Sequence, residues 1–583
     1  MKLLITKYIV TIFILIFSLP EVISQELQKK DSIITAALRD ELNRNMEKLV
    51  EEGYEKPFFM GYRISDLQLK VASSTLGALT ISREAKTRDW NTRIMVGDYE
   101  INDENFNDSF EGNSNDTYFE SVPLEDDYWG IRRMLWASTN NVYKRAARLY
   151  KQKVKAINDY DIDYKLKDFS EEKPQNYRDE ENFALADLSV VENLSTELSA
   201  YLKNYDSIYS GSATVTDIGM RTYFENSEGT SVIKNEQMSI AVVSVSQIDK
   251  DLQFQTANLD YFAPSMEELP DAEVIKSDID QYMDHLQNRA NLEELEEDYS
   301  GPVLLKGQAA AEFLKASLLN TEKGIFAIRK SFSNKNQDTV KRFFDELEDE
   351  LTEEEKLKVG NKKMIVTNYS GLKEFEGQKL VGSYLVDSEG VVPPDSLVLI
   401  KDGLIQQKIN SRIPAPRAEK STGSKRFSIA VGGMNDNIAP GVLKVDFTEC
   451  MSESEIIEYF KSSIEENDAV VGIIIEKPEL LSSTKPRQYF TYNRINGEKK
   501  QIGKVSFNNS AKNSLKRIIA VSDEYYVYNF LYGGSGYSSA SSGVPVSMIV
   551  PKYILIRDAD ASKSKYKPRK MDTIVPKPEL VEN

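Results

Sequence analysis

The sequence is poor in the two residue types that most often bind transition metals. It contains one histidine, His285, and one cysteine, Cys450, among 583 residues. A single cysteine excludes a disulfide within the chain. A hydrolytic zinc ion needs three protein ligands, usually imidazole or thiolate, and one open position for water. Two such residues in the whole chain are too few for a zinc site of that kind.

Positive charge is also scarce. The chain has 73 Lys and Arg residues against 92 Asp and Glu residues, which gives a formal net charge of −19 at pH 7. Nucleic-acid binding needs a basic surface that displaces the counterions of the phosphates. The composition therefore argues against nucleic acid as a partner, and it equally disfavours a bare anionic membrane.

Long apolar runs are missing after the N-terminus. Lys2 and Lys7 flank the start of an apolar stretch, residues 8–17, and small or apolar residues at 22–24 precede Gln25. This order is typical of a secretory signal peptide, and the apolar stretch is shorter than the roughly 20 residues of a membrane span. We expect a periplasmic or secreted mature protein with no membrane span after signal cleavage. An uncleaved anchor is the alternative.

The remaining composition is that of a globular protein. Hydrophobic residues make up 40% of the chain and aromatic residues 10%, and the length predicts about two to four domains. Changes of composition divide the chain into a signal peptide (1–24), an N-terminal α/β domain (25–270), an acidic helical connector (271–299), a C-terminal β-rich domain (300–560) and a flexible tail (561–583).

Hydrophobic periodicity predicts the main elements. Apolar residues at helical spacing predict helices over residues 25–52 and 128–157, the first ended by Gly53. Ser452 and Glu455 have the spacing of a capping box that starts another helix. Alternating patterns predict three strands near the N-terminus, at residues 58–66, 67–85 and 90–100.

One segment, residues 300–319, separates the two large domains. Its apolar run at 302–305 predicts a strand that turns directly into a helix of small residues. The overall expectation is an α+β protein, with helices on a mixed sheet in the N-terminal domain and mainly antiparallel sheet in the C-terminal domain.

With these segments in order, the chain resembles the TldD/PmbA family of metallopeptidase-related proteins. The resemblance rests on residues 90–100, 132–146, 221–230, 301–314, 381–405, 421–438 and 542–558. It implies the α+β fold just described and a two-subunit assembly around a substrate cavity. Peptide or unfolded polypeptide is the implied substrate class, and a TldD-like subunit is the implied partner in a hetero- or homodimer.

The family has two types of member. TldD-like members carry an H-E-x-x-x-H helix that binds zinc together with a cysteine near the C-terminus, whereas PmbA-like members, also called TldE, lack these ligands. Alignment on residues 303–305 places Lys306 and Ala311 at the histidine positions and Gly307 at the glutamate position. Residues 533–543 replace the cysteine region with Gly, Ser and Tyr. The resemblance is therefore to the PmbA-like type, with no catalytic residue, no metal ligand and no cofactor of its own.

Two kinds of non-standard active site remain as alternatives. Glu312, together with Asp387 and Glu389 of the DSEG motif, would suit Mg²⁺ or Mn²⁺ in a carboxylate-only site, although the DSEG motif is also typical of a turn. Cys450 precedes a helix start, where a thiol pKa can be lowered, but a lone cysteine is more typical of a core. Ser535 lacks the second glycine of a G-x-S-x-G motif, and His285 on an acidic helix is best interpreted as a surface residue.

The Gly/Ser-rich loop is the candidate substrate contact. Its small side chains and backbone N–H groups would bind an extended peptide by strand addition, and the alternative is a flexible hairpin. The predicted substrate-binding residues are Gly534, Ser535, Gly536, Ser541 and Ser542.

The sequence thus favours an exported, zinc-free pseudo-peptidase that binds peptide or serves as the non-catalytic partner of a metallopeptidase. An active metallopeptidase with a non-standard metal site and a cell-envelope scaffold protein are the alternatives.

Overall fold

The computed structural model describes most of the chain. The described residues are 2–107, 122–248, 254–289, 292–295, 297–320, 324–334, 336–352, 357–430, 436–476, 488–503, 505–507, 514–533 and 542–563. The α-helices are α1 (Lys2–Lys48), α2 (Tyr128–Asp159), α3 (Leu188–Tyr201), α4 (Ala272–Arg289), α5 (Gln308–Leu318), α6 (Gln337–Thr352) and α7 (Glu453–Glu466).

The N-terminal sheet has six strands in the order β2-β1-β5-β6-β4, with β7 also paired to β6. Neighbouring strands are antiparallel except β4 and β6, which are parallel. The first seven strands are β1 (Pro57–Thr75), β2 (Ala78–Val96), β3 (Phe106–Asn107), β4 (Asn176–Arg178), β5 (Ile208–Asn226), β6 (Ser231–Ile248) and β7 (Phe254–Ala263). Of these, β3 lies outside the sheet and pairs with β10.

The prediction of three strands near the N-terminus is wrong. Two strands of 19 residues each, β1 and β2, form one long hairpin. Gly77 makes the turn with φ +79°, a conformation that glycine adopts without steric cost. Pairing continues across Asp66 and Leu67, where the sequence suggested a break, because both residues have partners on β2 and β5.

The two faces of this sheet have different neighbours. Helices α1 and α2 pack on one face through Leu38 and Leu135, and α3 and α4 pack on the same face further along the strands. The opposite face carries Leu69, Ile218 and Ile240, which pack against Leu531 of the C-terminal region. The sheet therefore separates a helical layer from the C-terminal half.

Helix boundaries agree with the sequence in part. Helix α2 covers the predicted residues 128–157, and Ser452 and Glu455 form the predicted capping box of α7. Helix α1 ends at Lys48, earlier than predicted, and Gly53 lies in the turn that follows. Its buried side chains include Asp31, Ile34 and Leu38.

The C-terminal half contains two large sheets. One has the order β15-β14-β11-β19-β26-β17 with β25 paired to β26, and the other has the order β23-β27-β9-β20-β21-β22-β8 with β24 paired to β27. Most neighbours are antiparallel, but β9/β20, β19/β26 and β8/β22 are parallel. Together with the N-terminal sheet, this arrangement confirms the predicted α+β class.

The strands of the C-terminal half are β8 (Glu293–Glu294), β9 (Tyr299–Lys306), β10 (Phe332–Ser333), β11 (Met364–Tyr369), β12 (Glu374–Phe375), β13 (Gln378–Lys379), β14 (Leu397–Lys401), β15 (Leu404–Ile405), β16 (Lys425–Phe427), β17 (Ile429–Ala430), β18 (Asp436–Ile438), β19 (Val442–Phe447), β20 (Val471–Glu476), β21 (Gln488–Asn493), β22 (Lys499–Gly503), β23 (Val505–Phe507), β24 (Ile518–Val521), β25 (Tyr525–Tyr532), β26 (Ser542–Pro551) and β27 (Tyr553–Lys563).

Strand β27 runs through Lys563, so the first residues of the predicted tail are strand, and residues 564–583 lie outside the described part. Among the helices that the structure describes, none has the length and apolar character that crossing a membrane requires.

Candidate functional site

The segment that links the two halves forms a strand, a tight turn and a helix, as the sequence predicts. Gly307 lies between β9 and α5 with φ +57°, and its N–H donates to the carbonyl of Lys552 at 2.7 Å. The inner face of α5 is apolar, with Ala310, Ala311 and Leu314 fully buried in the core between the sheets. Helix α5 is therefore fixed on one side, and its other side is available for polar contacts.

Polar residues follow one another along that second side. Gln308, Glu312 and Lys315 are spaced by four and three residues, so they share a face of the helix. Strand β25 runs beside them. The hydroxyl of Tyr528 donates a short hydrogen bond to Oε1 of Glu312, and the Lys315 ammonium lies 3.9 Å from the same oxygen.

Aromatic rings of β25 complete this surface. Tyr526, Tyr528 and Phe530 alternate along the strand and point to the α5 side. A Cβ placed on Gly307 would meet the Tyr526 ring at 3.8 Å. The Lys315 ammonium lies 4.1 Å from the centre of the Phe530 ring and 5.3 Å from that of Tyr528, which is within the range of a cation–π contact.

The N-terminal sheet contributes one carboxylate to the same place. Asp260 on β7 pairs with Val242 on the face that meets the C-terminal half. Its Oδ1 is buried and accepts no hydrogen bond. We call Asp260, Gln308, Glu312, Lys315, Tyr526 and Tyr528 the α5 cluster.

Burial controls the protonation of the α5 cluster. It raises the pKa of Asp260 to about 7, against the opposing effect of the Lys315 charge. It also lowers the pKa of Lys315, although Glu312 and Asp260 act in the other direction. Burial and the charge of Glu312 raise the pKa of the Tyr528 hydroxyl, which therefore stays protonated and donates to Glu312. The cluster contains acidic, basic and aromatic groups within one small region.

The resemblance to zinc-binding members assigns metal ligands to the start of α5, but the residues found there do not fit a zinc ion. The Lys306 ammonium lies 3.7 Å from Glu476, Gly307 has no side chain, and Ala311 is buried in the apolar core. Among the described residues, no three His, Cys, Asp or Glu side chains are grouped so that they could hold a metal ion.

The DSEG motif is a turn, as the sequence suggested. Oδ1 of Asp387 accepts hydrogen bonds from the N–H groups of Glu389 and Val391 at 2.8 and 2.9 Å. Gly390 has φ +77° and lies against Phe224 of β5 and Thr230, the residue before β6. The motif therefore fixes the contact between the two halves of the chain.

Glu389 belongs to an ion network at this junction. It forms a short ion pair with Arg93 of β2, accepts a hydrogen bond from the backbone N–H of Arg412 at 2.7 Å, and lies 3.7 Å from the Lys425 ammonium. Arg412 in turn pairs with Glu228, which lies in the turn between β5 and β6. We call Arg93, Glu228, Glu389, Arg412 and Lys425 the junction network.

Neighbouring charges and burial shift the pKa values of the two carboxyls of the DSEG motif in opposite directions. Burial alone would raise the pKa of Glu389, but the charges of Lys425 and Arg93 hold it below its ordinary value, whereas burial and the Glu389 charge raise the pKa of Asp387. Glu312 is bound instead to Tyr528 and Lys315 in the α5 cluster. The structure thus does not bring these carboxylates into the single metal site of the carboxylate-only alternative.

The predicted peptide-binding loop is only partly described. Gly534, Ser535, Gly536 and Ser541 lie outside the described residues. Ser542 is the first residue of β26 and pairs with Ala430 of β17. Peptide contact by this loop stays a prediction.

The alternative nucleophile finds no support. Cys450 is exposed, not buried in a core, and its thiol donates to the carbonyl of Phe447 at 3.4 Å. Partial burial of the sulfur and the charges of Asp523 and Asp446 raise its pKa, which disfavours the reactive thiolate. His285 lies in α4, and its side chain is outside the described part.

No family model matches the sequence, and no curated protein matches it. Several solved structures, however, match the structure of this chain. TldE from Thermococcus kodakarensis is 14% identical, with a TM-score of 0.52 over 90% of this chain and 100% of that one. This chain has the TldD/PmbA fold.

Two further structures have this TldD/PmbA fold, and both are described as modulators of DNA gyrase. The one from Thermotoga maritima is 13% identical, with a TM-score of 0.55 over 90% of this chain and 99% of that one. The one from Bacteroides thetaiotaomicron is 9% identical, with a TM-score of 0.51 over 91% and 98%. The resemblance is confirmed at the level of fold, because identities this low show the fold alone.

Sequence reasoning found Glu312 but missed Asp260, Lys315, Tyr526 and Tyr528. The alternation of tyrosines in β25 was the available signal, since residues two apart on a strand share a face. Nothing local marks Asp260, which lies 48 residues before Gln308, the first residue of α5. Only the packing of β7 against the C-terminal half brings it to the cluster.

Proposed function

We propose that this protein is an exported, zinc-independent member of the TldD/PmbA fold that binds peptide and serves as the non-catalytic partner of a histidine-bearing TldD-like chain. The observation that carries the proposal is the start of α5. The strand-to-helix segment of the family is present there. By the sequence alignment, the positions at which a zinc peptidase needs its ligands and its general base are occupied by Lys306, Gly307 and Ala311.

The α5 cluster supports a binding role over a hydrolytic one. Hydrolysis of a peptide bond needs an activated water or nucleophile. The Glu312 carboxylate is already engaged by Tyr528 and Lys315. Binding needs only a partly accessible polar surface, and the Glu312 and Lys315 side chains keep 25% and 28% of their exposure.

Export is proposed from the N-terminal pattern. Lys30 and Asp31 of α1 pair with Asp66 and Arg221, and both residues follow the predicted cleavage site. Cleavage before Gln25 would leave these contacts intact. N-terminal sequencing of the chain from the envelope or medium tests this, and a chain that still begins at Met1 would contradict it.

Metal analysis is the decisive test of zinc independence. The mature chain, purified by gel filtration with and without added zinc, is analysed by elemental mass spectrometry and then mixed with unfolded peptides. We expect less than about 0.1 equivalent of metal, no cleavage, and measurable peptide binding. About one equivalent of tightly held metal, or chelator-sensitive cleavage that Glu312→Ala abolishes, would overturn the proposal.

The partner role has its own test. A TldD-like chain with an H-E-x-x-x-H helix from the same organism is co-expressed with this chain, and the mixture is analysed by gel filtration with light scattering. We expect a complex with higher peptidase activity than the histidine-bearing chain alone. Two separate monomers with unchanged activity would contradict the role.

A further inference from the structure

The α5 cluster has an incomplete set of contacts around Asp260. Two carboxylates in the described part of the chain, Asp260 and Glu236, each have one buried oxygen that lacks a hydrogen-bond donor, and the second oxygen of Glu236 lies 3.5 Å from Lys234. The buried Asp168, by contrast, accepts hydrogen bonds from Asn102, Lys153 and Tyr164. Oδ1 of Asp260 is just as inaccessible to solvent but has no donor. A buried acceptor without a donor is uncommon in folded proteins, and a bound ligand that supplies the donor is one way to satisfy it.

Charge around this oxygen favours a cation. Asp260 and Glu312 flank the cluster, and Asp278 of α4 is close enough to raise the pKa of Tyr526. Lys315 is the one cation among the named members, so carboxylates outnumber it. A ligand that supplies a positive charge would balance the cluster, whereas an anion would add to the repulsion.

The protein itself shows how an ammonium group is held here. The Lys315 ammonium lies over the rings of Phe530 and Tyr528 and 3.9 Å from Glu312. Tyr526 continues this row of rings towards Gly307 and is only half-buried. Aromatic faces attract an ammonium group through cation–π contacts, and a neighbouring carboxylate attracts it through its charge.

We infer that the α5 cluster binds a primary ammonium group of the bound peptide, with Asp260 as its carboxylate partner and Tyr526 and Tyr528 as its aromatic walls. This inference rests on the proposed peptide binding. The ammonium group comes from the N-terminus of the peptide or from a lysine side chain, and the two sources present the same chemistry to the cluster.

Three peptides of one sequence separate these sources. The first has a free N-terminus and no lysine, the second is N-acetylated with one lysine, and the third is N-acetylated with no lysine. Each carries a fluorophore at its C-terminus, and binding to the mature chain is measured by fluorescence anisotropy at about pH 8. We expect the first or second peptide to bind about tenfold more tightly than the third.

Two single substitutions test whether Asp260 causes the difference in peptide affinity. Asp260→Asn should reduce the better binder to the affinity of the third peptide, because the amide keeps the shape of the side chain and removes its charge. Asp395→Asn, a matched change at an exposed aspartate, should leave all three affinities unchanged. Far-ultraviolet circular dichroism of both variants establishes that they fold.

The pH dependence of peptide binding provides a second readout. Asp260 faces Lys315 of α5 and Tyr528 of β25 and lies beside Tyr261 on its own strand. Its carboxyl must ionise to pair with an ammonium group. Binding of the preferred peptide should therefore strengthen as the pH rises through about 7, and Asp260→Asn should remove this dependence.

The outcomes distinguish the inference from the proposed function. Equal binding of all three peptides would overturn the ammonium site and leave peptide binding intact. Equal loss on Asp260→Asn and Asp395→Asn would also overturn it, because a general charge effect would then explain the result. Binding of none of the peptides would contradict the proposed peptide binding and the inference with it.

Discussion

Arg412 and Glu228 form a two-point ion pair between the C-terminal half and the turn that joins β5 to β6 of the N-terminal sheet. Nη1 of Arg412 lies 2.5 Å from Oε2 of Glu228, and Nη2 lies 2.7 Å from Oε1. The Arg412 side chain is 1% exposed, and its guanidinium also donates to the carbonyl of Ser170. Paired contacts of this geometry fix orientation as well as distance, so the pair sets how the two halves meet.

Loss of Arg412 should destabilise the whole chain. Arg412→Met leaves the Glu228 carboxylate without its main partner, and we expect the free energy of unfolding to fall by about 3–5 kcal/mol. Urea denaturation followed by tryptophan fluorescence measures the change. Lys330→Met, which removes an exposed ion pair with Glu350, is the control and should have little effect. Similar losses in both variants would show that the pair of Arg412 and Glu228 contributes no more to stability than an exposed ion pair does.

The contact between Tyr528 and Glu312 should appear as a coupling in a double-mutant cycle. Tyr528→Phe, Glu312→Ala and the double variant are compared with the unmodified chain by urea denaturation. A buried hydroxyl that donates to a carboxylate should give a coupling free energy of about 1–3 kcal/mol. Strictly additive effects would mean that this hydrogen bond does not form in solution.

Asp260 should make stability fall as the pH rises. Burial raises its pKa from 3.8 to about 7 in the folded chain. The folded state therefore holds the proton more tightly than the unfolded state. This contribution to stability is fully present below pH 3.8 and is lost as the pH rises through 7.

Asp260→Asn should remove that loss. We expect the variant to exceed the unmodified chain in unfolding free energy by on the order of 2–4 kcal/mol at about pH 8, and by much less at about pH 4.5. Chemical denaturation at the two pH values measures this. The exposed Asp395→Asn variant should show no such pH dependence. A variant that is less stable than the unmodified chain at about pH 8 would contradict the burial argument.

Gly382 should not tolerate a side chain. A Cβ at this position would lie 2.2 Å from the carbonyl oxygen of Gly441 and 2.6 Å from the nitrogen of Ser547. Both contacts are backbone and cannot rotate away, so Gly382→Ala should cost roughly 1–3 kcal/mol of stability. Gly371→Ala is the matched control, because its nearest neighbour is a Leu385 methyl group at 3.4 Å. Equal melting temperatures for the two variants would disprove the close approach.

Much of the fold was predictable because it depends on local patterns. The periodicity of residues 128–157 predicted α2, and the strand-to-helix change near Gly307 predicted β9 and α5. The hairpin of β1 and β2 was misread as three strands. The charged residue Asp66 looks like a break in the sequence, but it is tolerated where neighbouring strands supply hydrogen bonds on both sides.

The candidate site was less predictable. The sequence identified Glu312 on the correct helix, and it identified the DSEG carboxylates as a turn or a metal site. Only the structure separated these two interpretations, because Arg93 of β2 and Lys425 surround Glu389. These partners are about 300 and about 40 residues away along the chain, beyond the reach of any local pattern.

The amino-acid sequence determines which side chains are available, and it offers one histidine and one cysteine as soft metal ligands. Which of the available groups meet depends on the packing of the two halves. It placed Asp260 from the N-terminal sheet beside Lys315 and Tyr528, and buried it there without a hydrogen-bond donor on Oδ1. Contacts between distant segments arise from packing of whole sheets, and no spacing in the sequence encodes them.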